Sequence, residues 1–358
     1  MDIEEFIKVD NFEKLCKEKN IQIVRDGAFM LLTYGHGADF SDPIVRQARG
    51  IIFKNGRVVC RPFDKFSNYE EEGSDADLID WDSARVQTKI DGSLINMFYV
   101  DGYWHFSTSG NIDAANAPVV DGKTFLDLIH EADNFRNIPF EEMDVEKTYM
   151  FELVGPYNRV IINYPRTHLY HIGTRDLDGK ETDENIGIEK PKEYEIHSLD
   201  DCIKAAEALN PEDEITNEGF VVVDKDYHRI KVKSPKYILM HRAINNGIVT
   251  IRRILQAIRE GNDEVYYRTE QTRVKYLEVK LLLAKLEYEM EKEMQDARAL
   301  YQEYDYDRKA TVKEVEKMKY PFAGFEALGT DIKAKDIMEK TSVIKLEKYC
   351  EQLSQIDK

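Results

Sequence analysis

Up to about residue 240 the chain alternates short apolar runs with polar breaks. The runs GAFMLLTY, RGIIFK, RVVCRPF, SLINMFYV, YWHFSTS, TYMFELV, RVIINY, HLYHIGTRD, GFVVVD and RIKVKS are rich in β-branched and aromatic residues, which predicts strands. Asn55-Gly56, Asp101-Gly102 and Asp178-Gly179 separate several of them, and such pairs favour the tight turns of antiparallel hairpins. QTKIDGSLINMF, residues 87–98, has the same form, with Asp91-Gly92 as the expected turn and Lys89 at its shoulder. Helical spacing interrupts the strands over 2–19, 122–133 and 198–209, so the layout is α+β.

Beyond residue 240 the texture changes. No Gly or Pro occurs from Asn262 to Tyr320, and Leu283, Leu286, Met290, Met294, Ala297 and Tyr301 recur at three- and four-residue spacing. That is the stripe of an amphipathic helix, with Glu and Lys on its other faces. YPFAGFEALGTD breaks the pattern, and a further helix is expected after it. The expected organisation is a strand-rich domain over 1–244 and an all-helical one over 245–358, divided within 242–248.

Composition narrows the class. The 358 residues are 42% hydrophobic and 11% aromatic, which suits packed domains and not disorder. The acidic start MDIEEFIKVD shows no secretory signal, and no apolar run is long enough to span a bilayer. Cys16, Cys60, Cys202 and Cys350 are scattered without a CxxC pair, which fits a reducing, cytoplasmic setting and gives no zinc or disulfide framework. Residues 241–358 carry 22 Lys+Arg and 22 Asp+Glu, so the whole formal charge of −18 lies in 1–240. A polyanion site must therefore be a local basic cleft on an acidic body.

The charged residues beside the strand runs suggest where that cleft lies. A lysine amine attacks only when neutral, while its reference pKa is about 10.4, so Lys89 as a nucleophile needs nearby cations or burial to lower it. Lys231 and Lys233 alternate on one strand face and could supply that field or neutralise a phosphoryl group. Glu152 and Glu218 could hold Mg²⁺ or a ribose hydroxyl. Arg49 and Lys65 add donors for a polyphosphate, and Gly92 lets backbone approach a ligand. Four of them have a plainer reading: Lys89 a surface hairpin lysine, Glu218 a strand-entry residue, Lys231 and Lys233 an exposed strand face. Glu152, in an apolar run, is harder to dismiss, because a buried carboxylate needs a partner. His168 and His171 read as strand and core positions.

The ordered set Lys89-x-Asp91-Gly92-Ser93, Phe151-Glu152, Glu218-Gly219 and Lys231-x-Lys233 resembles motifs I, III, IV and V of the covalent nucleotidyltransferases, which include ATP-dependent DNA and RNA ligases and mRNA capping enzymes. With ARGIIF, RPFDKFSN and FELVGPYNR, residues 45–240 look most like the bacteriophage ATP-dependent RNA ligases of the tRNA-repair type, RNA ligase 1. The resemblance implies an antiparallel-sheet, ATP-grasp-like nucleotidyltransferase domain followed by an all-α domain serving RNA specificity. It implies ATP as co-substrate and Mg²⁺ (or Mn²⁺) as the metal. Lys89 would carry AMP, and Glu152 would contact the ribose. Glu218 would bind or orient the metal, and Lys231 and Lys233 would hold the α-phosphate. Arg49 and Lys65 would engage phosphates, and Asp91 and Gly92 would complete the nucleotide site. The implied partner is RNA with 5′-phosphate and 3′-hydroxyl ends, tRNA among the candidates, in the host cytoplasm if the chain is phage-encoded. No membrane and no obligate protein partner is implied.

One departure stands out. Relatives often carry lysine before the Gly of the segment that reads HFSTSGNI here, where this chain has Ser109. Rival readings are a DNA ligase or capping enzyme, both of which usually append a β-rich module instead of helices. A further rival is a catalytically inactive RNA-binding relative.

Overall fold

The computed structural model describes residues 2–35, 37–210, 215–243, 249–260, 263, 266 and 270–356. It divides the chain into two compact units, Met1–Ile238 and Leu239–Lys358. The boundary expected at 244/245 lies outside the described residues.

The first unit holds three antiparallel sheets. β1 (Ile21–Asp26), β2 (Phe29–Tyr34), β3 (Arg49–Lys54) and β4 (Arg57–Cys60) form a simple meander. β5 (Arg85–Thr88) belongs to a different sheet from β6 (Ser93–Val100) and β7 (Tyr103–Thr108). The second sheet runs β10 (Glu181–Thr182), β9 (His168–Asp176), β8 (Lys147–Val154), β6, β7. The third runs β11 (Glu193–Tyr194), β5, β12 (Gly219–Val223), β13 (Arg229–Lys233). Asn55-Gly56 and Asp101-Gly102 turn β3 into β4 and β6 into β7 with positive φ at both residues, as the paired glycines predict.

Helices cover the sheets where the helical spacing lies. The stretch 2–19 forms two short helices, Ile3–Phe6 and Phe12–Glu18, whose Ile3, Phe6 and Cys16 join the core over the first sheet. Phe125–Glu131 begins with a Thr124/Asp127 capping box and buries Leu128 and Ile129 against Ile95, Met97 and Phe151. Leu199–Glu207, capped by Ser198, buries Cys202 and Ala206 against Val86, Phe220 and Ile230. β6 is buried on both faces, Ile95 and Met97 in one core and Phe98 in another with Leu31, Ile52 and Cys60. That explains its continuous apolar run.

Two sequence expectations are corrected. QTKIDGSLINMF is not a hairpin: β5 pairs with β11 and β12, whereas β6 pairs with β7 and β8. Residues 89–92 therefore carry the chain from one sheet to the next. RVIINY is a loop, because the N–H groups of Ile161 and Ile162 donate to the Asp91 carboxylate, at 2.9 and 2.8 Å, in place of a strand partner.

The second unit is helical among the described residues. Glu270–Glu303 is one long helix with Leu286, Met290, Met294 and Ala297 fully buried, as the stripe predicts. The YPFAGFEALGTD break contains a short helix of its own, Pro321–Ala327, with Pro321 in its first turn. No described helix is long and apolar enough to cross a membrane.

Candidate active site

The site forms where β5 ends beside the start of β12 and the end of β13. The Lys89 N–H donates to Gly219 O at 2.8 Å, and the Ser234 N–H donates to Glu218 O at 2.8 Å. Glu218-Gly219 is thereby held between the Lys89 and Lys233 segments. Gly219 has φ +144°, and a Cβ there would lie 2.2 Å from Val232 O. Only glycine lets the backbone pass so closely.

The result is a three-residue charge cluster. Glu218, 3% exposed at its side chain, accepts from Lys89 Nζ at 2.8 Å on one oxygen and from Lys233 Nζ at 2.7 Å on the other. Burial by itself raises the Glu218 pKa, but the two ammonium groups outweigh it and hold the carboxyl below its ordinary value. Burial likewise works to lower the Lys89 pKa, and the carboxylates of Glu218, Glu152 and Asp91 override it, so the amine is held above its ordinary value. The expected lowering of the Lys89 pKa by neighbouring lysines is thus reversed, because a carboxylate stands between them.

The lowered lysine is Lys231. Burial, then Arg49, Lys89, Lys233 and Lys65, push it down to about 7. Its ammonium lies 4.6 Å from the centre of the Phe66 ring, which also carries the Arg49 guanidinium at 5.3 Å. The segment around Phe66 reaches this place by pairing with the edge of β13: the Lys231 N–H donates to Ser67 O, and the Tyr69 N–H donates to Lys231 O, both at 3.0 Å. Lys65 comes with it, ion-paired to Glu71 at 2.8 Å.

Asp91 and Gly92 fix the sheet-to-sheet crossing. Asp91 Oδ1 accepts from the Tyr237 hydroxyl at 2.6 Å, while Oδ2 takes the two loop N–H groups already described. Both carboxylate oxygens are thus engaged inside the protein. The Gly92 N–H donates to Glu152 Oε1 at 3.1 Å, and a Cβ on Gly92 would sit 2.3 Å from Leu153 O. Burial, partly offset by Lys89, raises the Glu152 pKa to about 7.

The nine residues singled out in the sequence therefore converge: Lys89, Lys233 and Glu218 in direct contact, Glu152, Arg49, Lys231 and Lys65 within electrostatic reach, Asp91 and Gly92 beneath them. Ser109 packs its backbone against Gly50, next to Arg49, where a Cβ on Gly50 would lie 2.9 Å from Ser109 Cα. The preceding Thr108 hydroxyl accepts the N–H groups of Gly110 and Asn111, so it serves the turn. Phe66 and Tyr237 lie inside the motif runs but carry no charge, so no sequence signal assigned them a role. Chemically the arrangement offers a primary amine, a cluster of cations for phosphoryl oxygens and two carboxylates. Among the described residues no cluster of three His, Cys, Asp or Glu side chains could hold a metal by itself.

A family model and curated relatives agree on one family. A family model described as RNA ligase matches residues 47–237. The "Putative bifunctional polynucleotide kinase/RNA ligase" of Autographa californica nuclear polyhedrosis virus is 32% identical over 259 residues, which is 64% of this chain and 36% of that protein. An RNA ligase of Rhodothermus phage RM378 is 25% identical, with 64% of this chain and 67% of that protein covered. The chain thus spans about a third of the viral protein and two thirds of the phage one. An archaeal ATP-dependent RNA ligase of known structure shares 12% identity at a TM-score of 0.49, covering 75% of this chain and 71% of that one.

Proposed function

This chain belongs to the RNA ligase family, and on that footing we propose that it joins RNA 5′-phosphate and 3′-hydroxyl ends with ATP. The observation that carries the reading is the largely buried Lys89 amine, 2.8 Å from Glu218, with Lys233 on the same carboxylate and Lys231 within electrostatic reach. The carboxylates hold that amine charged at rest, and it attacks an α-phosphate once its proton is gone. Its nitrogen forms a bond to phosphorus as the bond to the bridging oxygen breaks and pyrophosphate leaves. The amine sheds its proton in the process, and Glu218 is the base within hydrogen-bond reach. AMP then passes from Lys89 to the RNA 5′-phosphate, and the 3′-hydroxyl displaces it.

Charge on the phosphoryl oxygens is met by cations already in place. Lys233 and Arg49 need little rearrangement to stabilise it, and Lys231, lowered to about 7, joins them as it takes up a proton. Such stabilisation is the main device available for phosphoryl transfer. Glu152 and Glu218 fit a hard divalent cation such as Mg²⁺ or Mn²⁺, which takes one or two carboxylates and completes its shell with phosphate oxygens and water. The raised pKa of Glu152 marks a buried carboxylate that such a cation would stabilise. When bound, the cation supplies Lewis-acid polarisation of the phosphoryl group.

The test is incubation of the full chain with α-labelled ATP and Mg²⁺, followed by a denaturing gel. Label should stay on the wild-type protein and be absent from Lys89→Ala. An unlabelled wild type, or equal label on the variant, would sink the reading. Sealing of a 5′-phosphorylated RNA should exceed that of nicked DNA, and the reverse preference would reassign the substrate.

A further inference from the structure

Beside the lysine cluster the first unit encloses a cavity of about 450 Å³, within the size range of small-ligand clefts. It adjoins the candidate active site: Lys65 and Phe66 line it, and the Phe66 ring carries both Arg229 of its lining and Lys231 of the site. Arg229 precedes Lys231 and Lys233 on the same face of β13, so one strand lines both places.

The lining is cationic, yet nearly balanced. Arg229 is held in two hydrogen bonds to Glu181, at 3.1 and 2.8 Å, and Arg175 is paired with Asp64 at 2.6 Å. These pairs cancel one another's charge and stiffen the walls. The remaining lining cations exceed the remaining carboxylates by one at most. A triphosphate tail carries three or four negative charges and would be poorly matched here. A single phosphodiester carries one.

The mouth has a second feature. Tyr227 lines the cavity from the turn between β12 and β13, with φ +64°, a left-handed backbone that bulky residues rarely adopt. Asp224 enforces it: its Oδ1 accepts the N–H groups of Asp226 and His228 at 2.9 and 3.0 Å. A turn held this firmly presents an aromatic ring at a fixed place, and strained residues of this kind cluster at ligand clamps.

We propose that this cavity binds one nucleotide of the phosphorylated RNA strand, its phosphate between Arg46 and Lys180 and its base on the Tyr227 ring. This rests on the ligase reading and extends it to the path of the strand. Base stacking on an aromatic ring tolerates any sequence, as a sealing enzyme requires.

Two measurements on the full chain separate this proposal from that reading. Fluorescence anisotropy with a 5′-phosphorylated RNA oligonucleotide reads strand binding, and labelling by α-labelled ATP reads self-adenylation. The Arg46→Ala/Lys180→Ala double variant should weaken RNA binding about tenfold and reduce the slope of log K against log salt by about 0.7, the value for one phosphate on a single strand. Tyr227→Leu should also weaken binding about tenfold, with Tyr227→Phe binding as wild type. All of these variants should self-adenylate as wild type does. Unchanged RNA binding would overturn the proposal. So would a parallel fall in self-adenylation, which would give the cavity to the phosphates of ATP. A wild type that takes no label while the binding pattern holds would refute the ligase reading and leave the strand site standing.

Discussion

Lys89 and Lys233, 144 residues apart, grip opposite oxygens of the Glu218 carboxylate at 2.8 and 2.7 Å. The shared carboxylate keeps the Lys89 amine charged, and whatever diverts it frees the amine. Glu218→Gln should therefore make Lys89 react severalfold faster with a small acylating reagent at pH 8, read by mass spectrometry of the modified lysine. The same variant leaves two half-buried ammonium groups without their carboxylate and should lose about 2 kcal/mol in urea unfolding. Equal reactivity in variant and wild type would show that Glu218 does not set the Lys89 charge.

Gly92→Ala tests the crossing between sheets. The new methyl would meet Leu153 O, a backbone atom held in the β6–β8 ladder, and cannot be relieved by a side-chain rotation. Overpacking of this kind costs about 1–3 kcal/mol, read as a lower urea midpoint. Because the shift falls three residues after Lys89, self-adenylation should drop more than the loss of folded protein accounts for.

Lys231 gives the protein a distinctive pH dependence. Its pKa is about 7 in the folded chain and returns to its ordinary value near 10.5 on unfolding. Between those values the unfolded chain binds a proton that the folded chain does not, so stability from this group rises with pH from about 7 to 10.5. Lys231→Met should remove that rise, and the difference in Tm between wild type and variant should move in favour of wild type from pH 7 to pH 9. Metal-free ATP binding at pH 8 should draw a proton onto Lys231, read as a buffer-dependent heat in calorimetry and lost in the variant.

Glu152 points the other way. Its pKa near 7 means that the carboxyl is partly protonated at neutral pH. A divalent cation must displace that proton, so Mg²⁺ or Mn²⁺ affinity should climb as pH passes through about 7. Glu152→Gln should flatten the climb and weaken binding, measured by Mn²⁺ titration. A chelator added to wild type should stop self-adenylation and leave the fold intact.

Much of this was legible in the chain itself. The runs from GAFMLLTY to RIKVKS become strands, with RVIINY the exception, because alternation and β-branched content report directly on a pleated surface. Alternation also sets Lys231 and Lys233 on one face of β13, and the Leu286–Ala297 stripe is buried on one long helix. Asp91-Gly92 misled because a turn dipeptide encodes a bend and not a partner: β6 found β8, fifty residues on, and left β5 to β12.

The sequence by itself determined which residues are candidates for the chemistry, since residue type and local spacing are written in it. Only the tertiary structure decided their charge states. A pKa depends on groups within a few ångströms, and here those groups arrive from positions 49, 89, 152, 218 and 233, so the lysine that is lowered is Lys231 and the one that is raised is Lys89. The burial of Tyr237 beneath Asp91 and the place of Phe66 among three cations follow from the same long-range packing, which no local pattern records.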